Sequence, residues 1–230
     1  MYKKIILPKT YYISQGNESE DHLTNIKNVC EAGCKLVQLR LKNVEEGEYI
    51  QIARAALEIC ETYDALLIIN DKVRVVLQSG AHGVHLGKED IDPIEAREVL
   101  PEGTIIGGTA NTLEDCKKLI AQNVDYIGLG PFRFTDTKSN LSPVISLNDY
   151  AQICAYVQTD SPNTPVFAIG GIVKEDVAYI FEEGAHGIAM SGALSTGNLV
   201  ELSQTIAYCE NLDATENAIQ TNEDKGRTAE

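Results

Sequence analysis

Eight short apolar runs recur along the chain: Thr10–Ser14, Leu36–Arg40, Ala65–Asn70, Gly83–Gly87, Thr104–Thr109, Asp125–Gly130, Val166–Gly171 and Gly187–Gly192. Each is five or six residues long, rich in Val, Ile, Leu or Gly, and none alternates cleanly between apolar and polar. Strands buried on both faces have this appearance, because neither face needs a polar set. Longer amphipathic stretches separate the runs. Val44–Thr62 carries Ile50, Ala53, Leu57 and Cys60 at helical spacing, and Thr112–Gln122 opens on Thr112 and Asp115, a hydroxyl-x-x-acid helix start. Eight strand–helix alternations in a 230-residue chain predict an α/β protein with a single (β/α)8 TIM barrel. A chain of this length buries a core without staples. The competing architecture is an open doubly wound sheet, which lacks support because no Gly-x-Gly-x-x-Gly follows the first run.

An internal echo favours the barrel. Glu31-Ala-Gly-Cys-Lys-Leu-Val-Gln-Leu-Arg40 resembles Gln78-Ser-Gly-Ala-His-Gly-Val-His-Leu-Gly87, and both resemble the stretches from Gln122 to Gly130 and from Glu183 to Ser191. Each reads as a helix end, a tight turn and a strand. The echo marks strands two, four, six and eight, as expected where alternate strands fill alternate core layers. The periodic pattern ends at about Glu210, which divides the chain into a barrel over 1–209 and an acidic, disordered tail over 210–230.

Nineteen Lys and Arg against 34 Asp and Glu give a net charge of −15. That balance argues against nucleic acid as the main partner, since phosphate backbones demand a basic face, and leaves room for a local basic pocket. The six cysteines form no Cys-x-x-Cys and no zinc spacing with histidine, so they read as small apolar residues in a reducing compartment. Cys30 and Cys34 are spaced to share one helical face. Met1–Pro8 is too short for a signal segment, and no run approaches the roughly 20 apolar residues of a membrane span. The expectation is a cytoplasmic enzyme with small-molecule substrates and no membrane partner; assembly into a homo-oligomer stays open.

In this fold the working residues stand at the carboxyl ends of the strands and in the loops that follow. That rule gathers Arg40 and Lys42 after strand two, Asn70 and Asp71 after strand three, and Asp90 after strand four. Thr109 ends strand five, Thr135, Thr137 and Lys138 follow strand six, Gly170 and Gly171 follow strand seven, and Ser191 follows strand eight. Cations, carboxylates and Gly turns on one rim of an acidic protein suit a phosphate-bearing substrate with Mg²⁺, which takes one or two carboxylates plus phosphate oxygens. His82 and His186 occupy equivalent Gly-Ala-His-Gly turns on the opposite, stability-bearing end. His85 lies within strand four and reads as a hydrogen-bonded core histidine; His22, near a helix start, says little.

Gln38-Leu-Arg40-x-Lys42, Asn70-Asp71, Gly83-Val-His-Leu-Gly87 with Asp90, Thr135-Asp-Thr137-Lys138, Gly170-Gly171-Ile172 and Ser191 stand in an order that resembles the thiamin-phosphate synthase family over residues 10–209. The resemblance implies condensation of a hydroxymethylpyrimidine diphosphate with a thiazole phosphate, releasing pyrophosphate. It implies that Gln38, Arg40, Lys42, Asn70, Thr109 and Lys138 hold the pyrimidine diphosphate. It implies that Asp71 and Asp90 bind Mg²⁺, and that Thr135, Thr137, Gly171, Met190 and Ser191 surround the thiazole phosphate. Arg40, Lys42, Lys138 and Thr109 are then the catalytic set. Thr109 keeps a hydroxyl where many relatives have Ser, and Ala110-Asn111-Thr112 lacks a His that relatives often show. The rival readings are a thiazole tautomerase, which would want a His base, a sugar-phosphate isomerase or epimerase, and a non-catalytic phosphate-binding barrel of the thiamin pathway.

Overall fold

The computed structural model describes residues 6–134 and 143–212. The eight apolar runs become β1 (Thr10–Ile13), β2 (Leu36–Leu39), β3 (Leu66–Asn70), β4 (Gly83–Leu86), β5 (Ile105–Ala110), β6 (Tyr126–Leu129), β7 (Val166–Ile169) and β8 (Gly187–Met190). They pair in parallel in chain order, and β8 returns to β1 with Ala189 opposite Tyr11, which closes the barrel and removes the open-sheet alternative. The helices are α1 (Ser19–Glu31), α2 (Glu46–Thr62), α3 (Val73–Ser79), α4 (Pro93–Val99), α5 (Leu113–Ala121), α6 (Leu147–Asp160), α7 (Val177–Glu182), the single turn α8 (Gly192–Ser195) and α9 (Leu199–Asn211). None is long and apolar enough to cross a membrane.

The echoed segments have a common physical cause. Gly33, Gly80, Asn123 and Gly184 all sit at positive φ, between 53° and 110°. The amide of each bonds back into the helix it ends: Gly33 to Cys30, Gly80 to Val76, Asn123 to Ile120 and Gly184 to Phe181. A left-handed residue stops the helix and turns the chain into the next strand at little steric cost when it is Gly or Asn. Thr112 caps α5 as its sequence suggests, accepting from the Asp115 amide at 3.2 Å while the Asp115 carboxylate accepts from the Thr112 amide at 3.0 Å.

Two apolar layers follow from strand parity. Tyr11, Leu36, Ile68, Ile105, Tyr126, Phe167 and Ala189 fill the barrel interior. The alternate residues, such as Val37, Ile69, Val84, Ile127 and Met190, pack beneath the helices. All six cysteines are buried and free. Helix α1 ends before Cys34, so Cys30 and Cys34 do not share a helical face. His82 and His186 brace the amino-terminal end. His82 Nδ1 accepts from the Leu67 amide at 3.0 Å, and His186 Nε2 lies 2.8 Å from the Leu7 carbonyl.

The ordered barrel runs past the boundary at 209 that the sequence pattern suggests. Helix α9 extends to Asn211, and the Glu210 carboxylate accepts from the Lys9 and Thr10 amides at 3.1 and 2.7 Å, with Lys9 Nζ donating to the Leu212 carbonyl. The remainder of the expected tail, from 213 onward, lies outside the described residues, as do Thr135, Thr137 and Lys138. Glu210→Ala leaves the Lys9 and Thr10 amides without their acceptors and should destabilise the barrel by about 2 kcal/mol. Thermal denaturation checks this; an unchanged melting temperature would mean that Glu210 is not part of the closure.

Candidate active site

The carboxyl ends of β2, β3, β4 and β5 converge on the barrel mouth. Gln38, two residues before Arg40, faces inward and is 2% exposed, with its Nε2 donating to the Tyr11 hydroxyl at 2.6 Å. Arg40 follows the last residue of β2, and its main-chain amide donates to Ser14 Oγ at 3.0 Å. Ser14 Oγ in turn lies 2.7 Å from Nδ1 of His22, which is buried behind it. This pair, from the position after β1 and from α1, holds the point at which Arg40 leaves the sheet. Burial holds the His22 pKa below the usual histidine range, and the Arg40 charge adds to that effect. Burial and then the Arg40 charge lower the Lys42 pKa as well, so the two cations share one electropositive corner.

Asp71 and Asp90 meet across this corner. The Asp71 amide donates to the His85 carbonyl at 2.9 Å, which ties the turn after β3 to β4, and Asp71 itself sits in the left-handed region at φ 63°. Asp90 Oδ2 accepts from the Gly87 amide at 2.7 Å, folding the loop after β4 back over the strand end. The two carboxyl groups interact. Burial first, then the neighbouring Asp90 carboxyl and its charge, push the Asp71 pKa up to about 6, against the opposing pull of Arg40 and Lys72. Two carboxyl groups at one point favour a shared proton unless a cation replaces it. Among the described residues no group of three or more His, Cys, Asp or Glu is placed to hold a metal. Two hard oxygen donors suit Mg²⁺, which takes its remaining ligands from phosphate and water, and do not suit a closed zinc site.

Thr109, near the end of β5, completes this side of the mouth. Its Oγ1 lies 2.9 Å from His85 Nε2, so the strand-four histidine is a buried, hydrogen-bonded residue in direct contact with a rim hydroxyl. Asn70 stands beside it in register with His85. A family model described as thiamine monophosphate synthase matches residues 10–194. The chain belongs to the thiamine monophosphate synthase family. The thiamine-phosphate synthase of Flavobacterium psychrophilum is 44% identical over 187 residues, covering 81% of this chain and 91% of that one. That of Bacteroides fragilis (strain ATCC 25285) is 45% identical over 183 residues, covering 80% and 90%. The solved thiamine phosphate pyrophosphorylase from Pyrococcus furiosus superposes with a TM-score of 0.76 at 29% identity, over 87% of this chain and 94% of that one. Membership makes the chain a transferase of thiamine biosynthesis built on a (β/α)8 barrel.

The far side of the mouth in this family member is formed by β6, β7 and β8. Gly170 and Gly171 both have positive φ, 95° and 67°. A Cβ on Gly171 would fall 2.8 Å from both the Arg133 Cβ and the Phe134 carbonyl oxygen, so only glycine admits the strand-six loop at this spacing. The Arg133 amide donates to the Gly170 carbonyl at 2.9 Å, and the Arg133 side chain grips the Asp176 carboxylate with two bonds of 2.8 and 2.5 Å. This clamp fixes the chain after β6 at Arg133. Ser191 Oγ donates to Gln15 Oε1 at 3.1 Å, bridging β8 to the loop after β1. Met190 is 3% exposed in the layer between sheet and helices, so only its main chain can serve the mouth.

The supporting residues escape a sequence reading. Ser14 and His22 behind Arg40, Tyr11 and Tyr126 behind Gln38 and His85, and Arg133 with Asp176 carry no motif. For Ser14 and Arg133 there is a weak signal, since both follow a strand end.

Proposed function

We propose that this barrel joins 4-amino-2-methyl-5-(diphosphooxymethyl)pyrimidine to a thiazole phosphate, in its aromatised or carboxylated form, with Asp71 and Asp90 holding Mg²⁺. The observation that carries this reading is the family match over residues 10–194, with Arg40, Asp71 and Asp90 gathered on one rim, where burial and the neighbouring Asp90 push the Asp71 pKa up. Such a pair is costly without a cation and favourable with one. When bound, Mg²⁺ neutralises charge on the diphosphate leaving group.

The pyrimidine CH2–O bond breaks and its electron pair departs with pyrophosphate. The electron-rich ring stabilises the CH2 cation until the thiazole nitrogen lone pair forms the new C–N bond. With the aromatised thiazole no proton has to move at the reacting atoms, which agrees with a mouth built from cations, carboxylates and a hydroxyl; a carboxylated thiazole must in addition lose its carboxylate as CO2 and take up a proton at that carbon. Arg40, Lys42 and Lys138 bind the diphosphate and stabilise charge as it grows on the leaving oxygen. Thr109, Gln38 and Asn70 fix the pyrimidine side, while Gly171 and Ser191, with Thr135 and Thr137, orient the thiazole phosphate for attack. The six reduced, buried thiols suit a cytoplasmic setting.

A coupled assay of pyrophosphate release with both substrates and Mg²⁺ tests this reading. The expected result is one pyrophosphate per thiamin phosphate, abolished by chelation and restored by Mg²⁺. Full rate in EDTA would remove the metal assignment, and no pyrophosphate with either thiazole form would remove the reaction.

A further inference from the structure

A row of buried polar groups crosses the barrel interior beneath the mouth. Gln38 Nε2 donates to the Tyr11 hydroxyl at 2.6 Å, and that hydroxyl lies 2.8 Å from the hydroxyl of Tyr126. The Tyr126 hydroxyl is 3.1 Å from His85 Nδ1, and His85 Nε2 is 2.9 Å from Thr109 Oγ1. The row draws on β2, β1, β6, β4 and β5, and its first four members are at most 5% exposed. It runs through a layer otherwise made of Leu36, Ile68, Ile105 and Phe167. Polar groups in such a layer are tolerated only when every hydrogen has an acceptor.

The space for the row is built in. A Cβ on residue 107 would fall 2.0 Å from Tyr126 Cζ, so Gly107 is what admits the Tyr126 ring. That ring stacks on His85 at 25° and meets Tyr11 and Phe167 edge-on at 86° and 80°. Neither tyrosine serves as an acid or base near neutral pH, since burial lifts both hydroxyls far above the ordinary tyrosine range.

With the Gln38 amide turned so that Nε2 faces Tyr11, one hydrogen arrangement satisfies all of these contacts. The Gln38 amide nitrogen only donates, so the Tyr11 oxygen accepts and its hydrogen passes to the Tyr126 oxygen. The Tyr126 hydrogen then passes to a bare His85 Nδ1. His85 carries its proton on Nε2 and gives it to Thr109 Oγ1, which leaves the Thr109 hydrogen to be donated into the mouth. With a proton on Nδ1, whether as the other tautomer or as imidazolium, His85 would donate to Tyr126. The two tyrosine hydroxyls could then still bond each other, but one of their two hydrogens, that of Tyr126 where Tyr11 donates, would be buried with no acceptor.

We propose that Tyr11, Tyr126 and His85 are positioning residues for the synthase reaction. They form a one-directional hydrogen-bond chain that fixes the Gln38 amide and makes Thr109 a donor to a lone-pair acceptor on the pyrimidine diphosphate. The kinetic part of this inference rests on the proposed placement of Thr109 and Gln38 in that substrate's site; the direction of the chain does not.

The direction is read by ¹⁵N NMR of the histidine side chains in the full-length wild-type protein. His85, assigned by its loss in His85→Asn, should appear as the neutral Nε2–H tautomer at pH 7. The Nδ1–H tautomer or an imidazolium would overturn the proposal. Tyr126→Phe keeps the ring and removes both hydroxyl bonds. It should release His85 into a tautomer mixture and lower kcat/KM for the pyrimidine diphosphate about 10- to 50-fold, leaving KM for the thiazole phosphate unchanged. In a Thr109→Val background the same change should cost less than about threefold, because a chain acts as a unit. Tyr11→Phe should reproduce the tautomer change and the selective loss, and it serves as the test where Tyr126→Phe does not fold. Kinetics within twofold of wild type in a folded Tyr→Phe variant, or losses that multiply fully with Thr109→Val, would refute the link to catalysis. Failure of the synthase reading would look different, as a wild-type protein that releases no pyrophosphate while the tautomer result stands.

Discussion

Asp71→Asn should lower turnover by at least about 100-fold and, in metal-free buffer, raise the melting temperature. The two effects have one cause. The folded protein holds the Asp71 carboxyl beside Asp90 and half-buried, with a pKa of about 6 against an ordinary value of 3.8. A group whose folded pKa lies above its unfolded one favours the folded state when protonated. Its ionisation therefore removes stability as pH rises from about 4 to about 6, and the loss is complete at neutral pH. With allowance for solvent screening, that loss is about 1–2 kcal/mol. Asn removes the charge and is at ease in the left-handed backbone that Asp71 adopts at φ 63°. The gain should be about 3–6 °C at pH 7 and should vanish near pH 4. Mg²⁺ should stabilise the wild type at pH 7 and have little effect on the variant. Scanning calorimetry at both pH values, with and without Mg²⁺, checks this beside the activity assay. A lower melting temperature for the metal-free variant at pH 7, or full activity, would rule out a metal site that the apo-protein is strained to keep.

Arg40→Lys should lose about 30- to 1000-fold in turnover although the charge is kept. The end of β2 is fixed from behind, since Ser14 Oγ accepts the Arg40 amide and His22 abuts Ser14. A guanidinium held at its root presents a planar fork to two diphosphate oxygens at once, and an ammonium does not. If this contact tightens as the C–O bond breaks, kcat falls more than KM rises. Lys138→Ala should lose turnover on the same scale, because the resemblance places that lysine on the leaving group as well. Steady-state kinetics over both substrates separates the cases. A defect confined to KM in either variant would make that residue a binding group and take it out of the catalytic set.

Much of this molecule is written locally. The eight strands appear where the apolar runs lie, because a strand covered on both faces needs apolar residues throughout its length. The left-handed helix stops at Gly33, Gly80, Asn123 and Gly184 follow from the conformational preferences of single residues and their immediate neighbours. Right-handed crossovers then send every strand end, and with it Arg40, Lys42, Asp71, Asp90 and Thr109, to one rim. The alternation could equally have served an open sheet; it is the pairing of β8 with β1 that decides for a barrel.

Other features depend on which side chains meet across the closed barrel, and no local pattern encodes that. Asp71 and Asp90 are 19 positions apart, yet the fold brings them together, and burial with the neighbouring Asp90 carboxyl lifts the Asp71 pKa. Met190 carries the parity of its strand and so faces the helices, although the residue after it reaches the mouth. Tyr11 and Tyr126, 115 positions apart, read as ordinary apolar-strand aromatics until closure brings their hydroxyls within 2.8 Å. Hydrophobic periodicity and turn chemistry act over a few residues and are legible in the sequence. Hydrogen-bond partners and the electrostatics between strands depend on register and barrel closure, which are settled only when the whole sheet has formed.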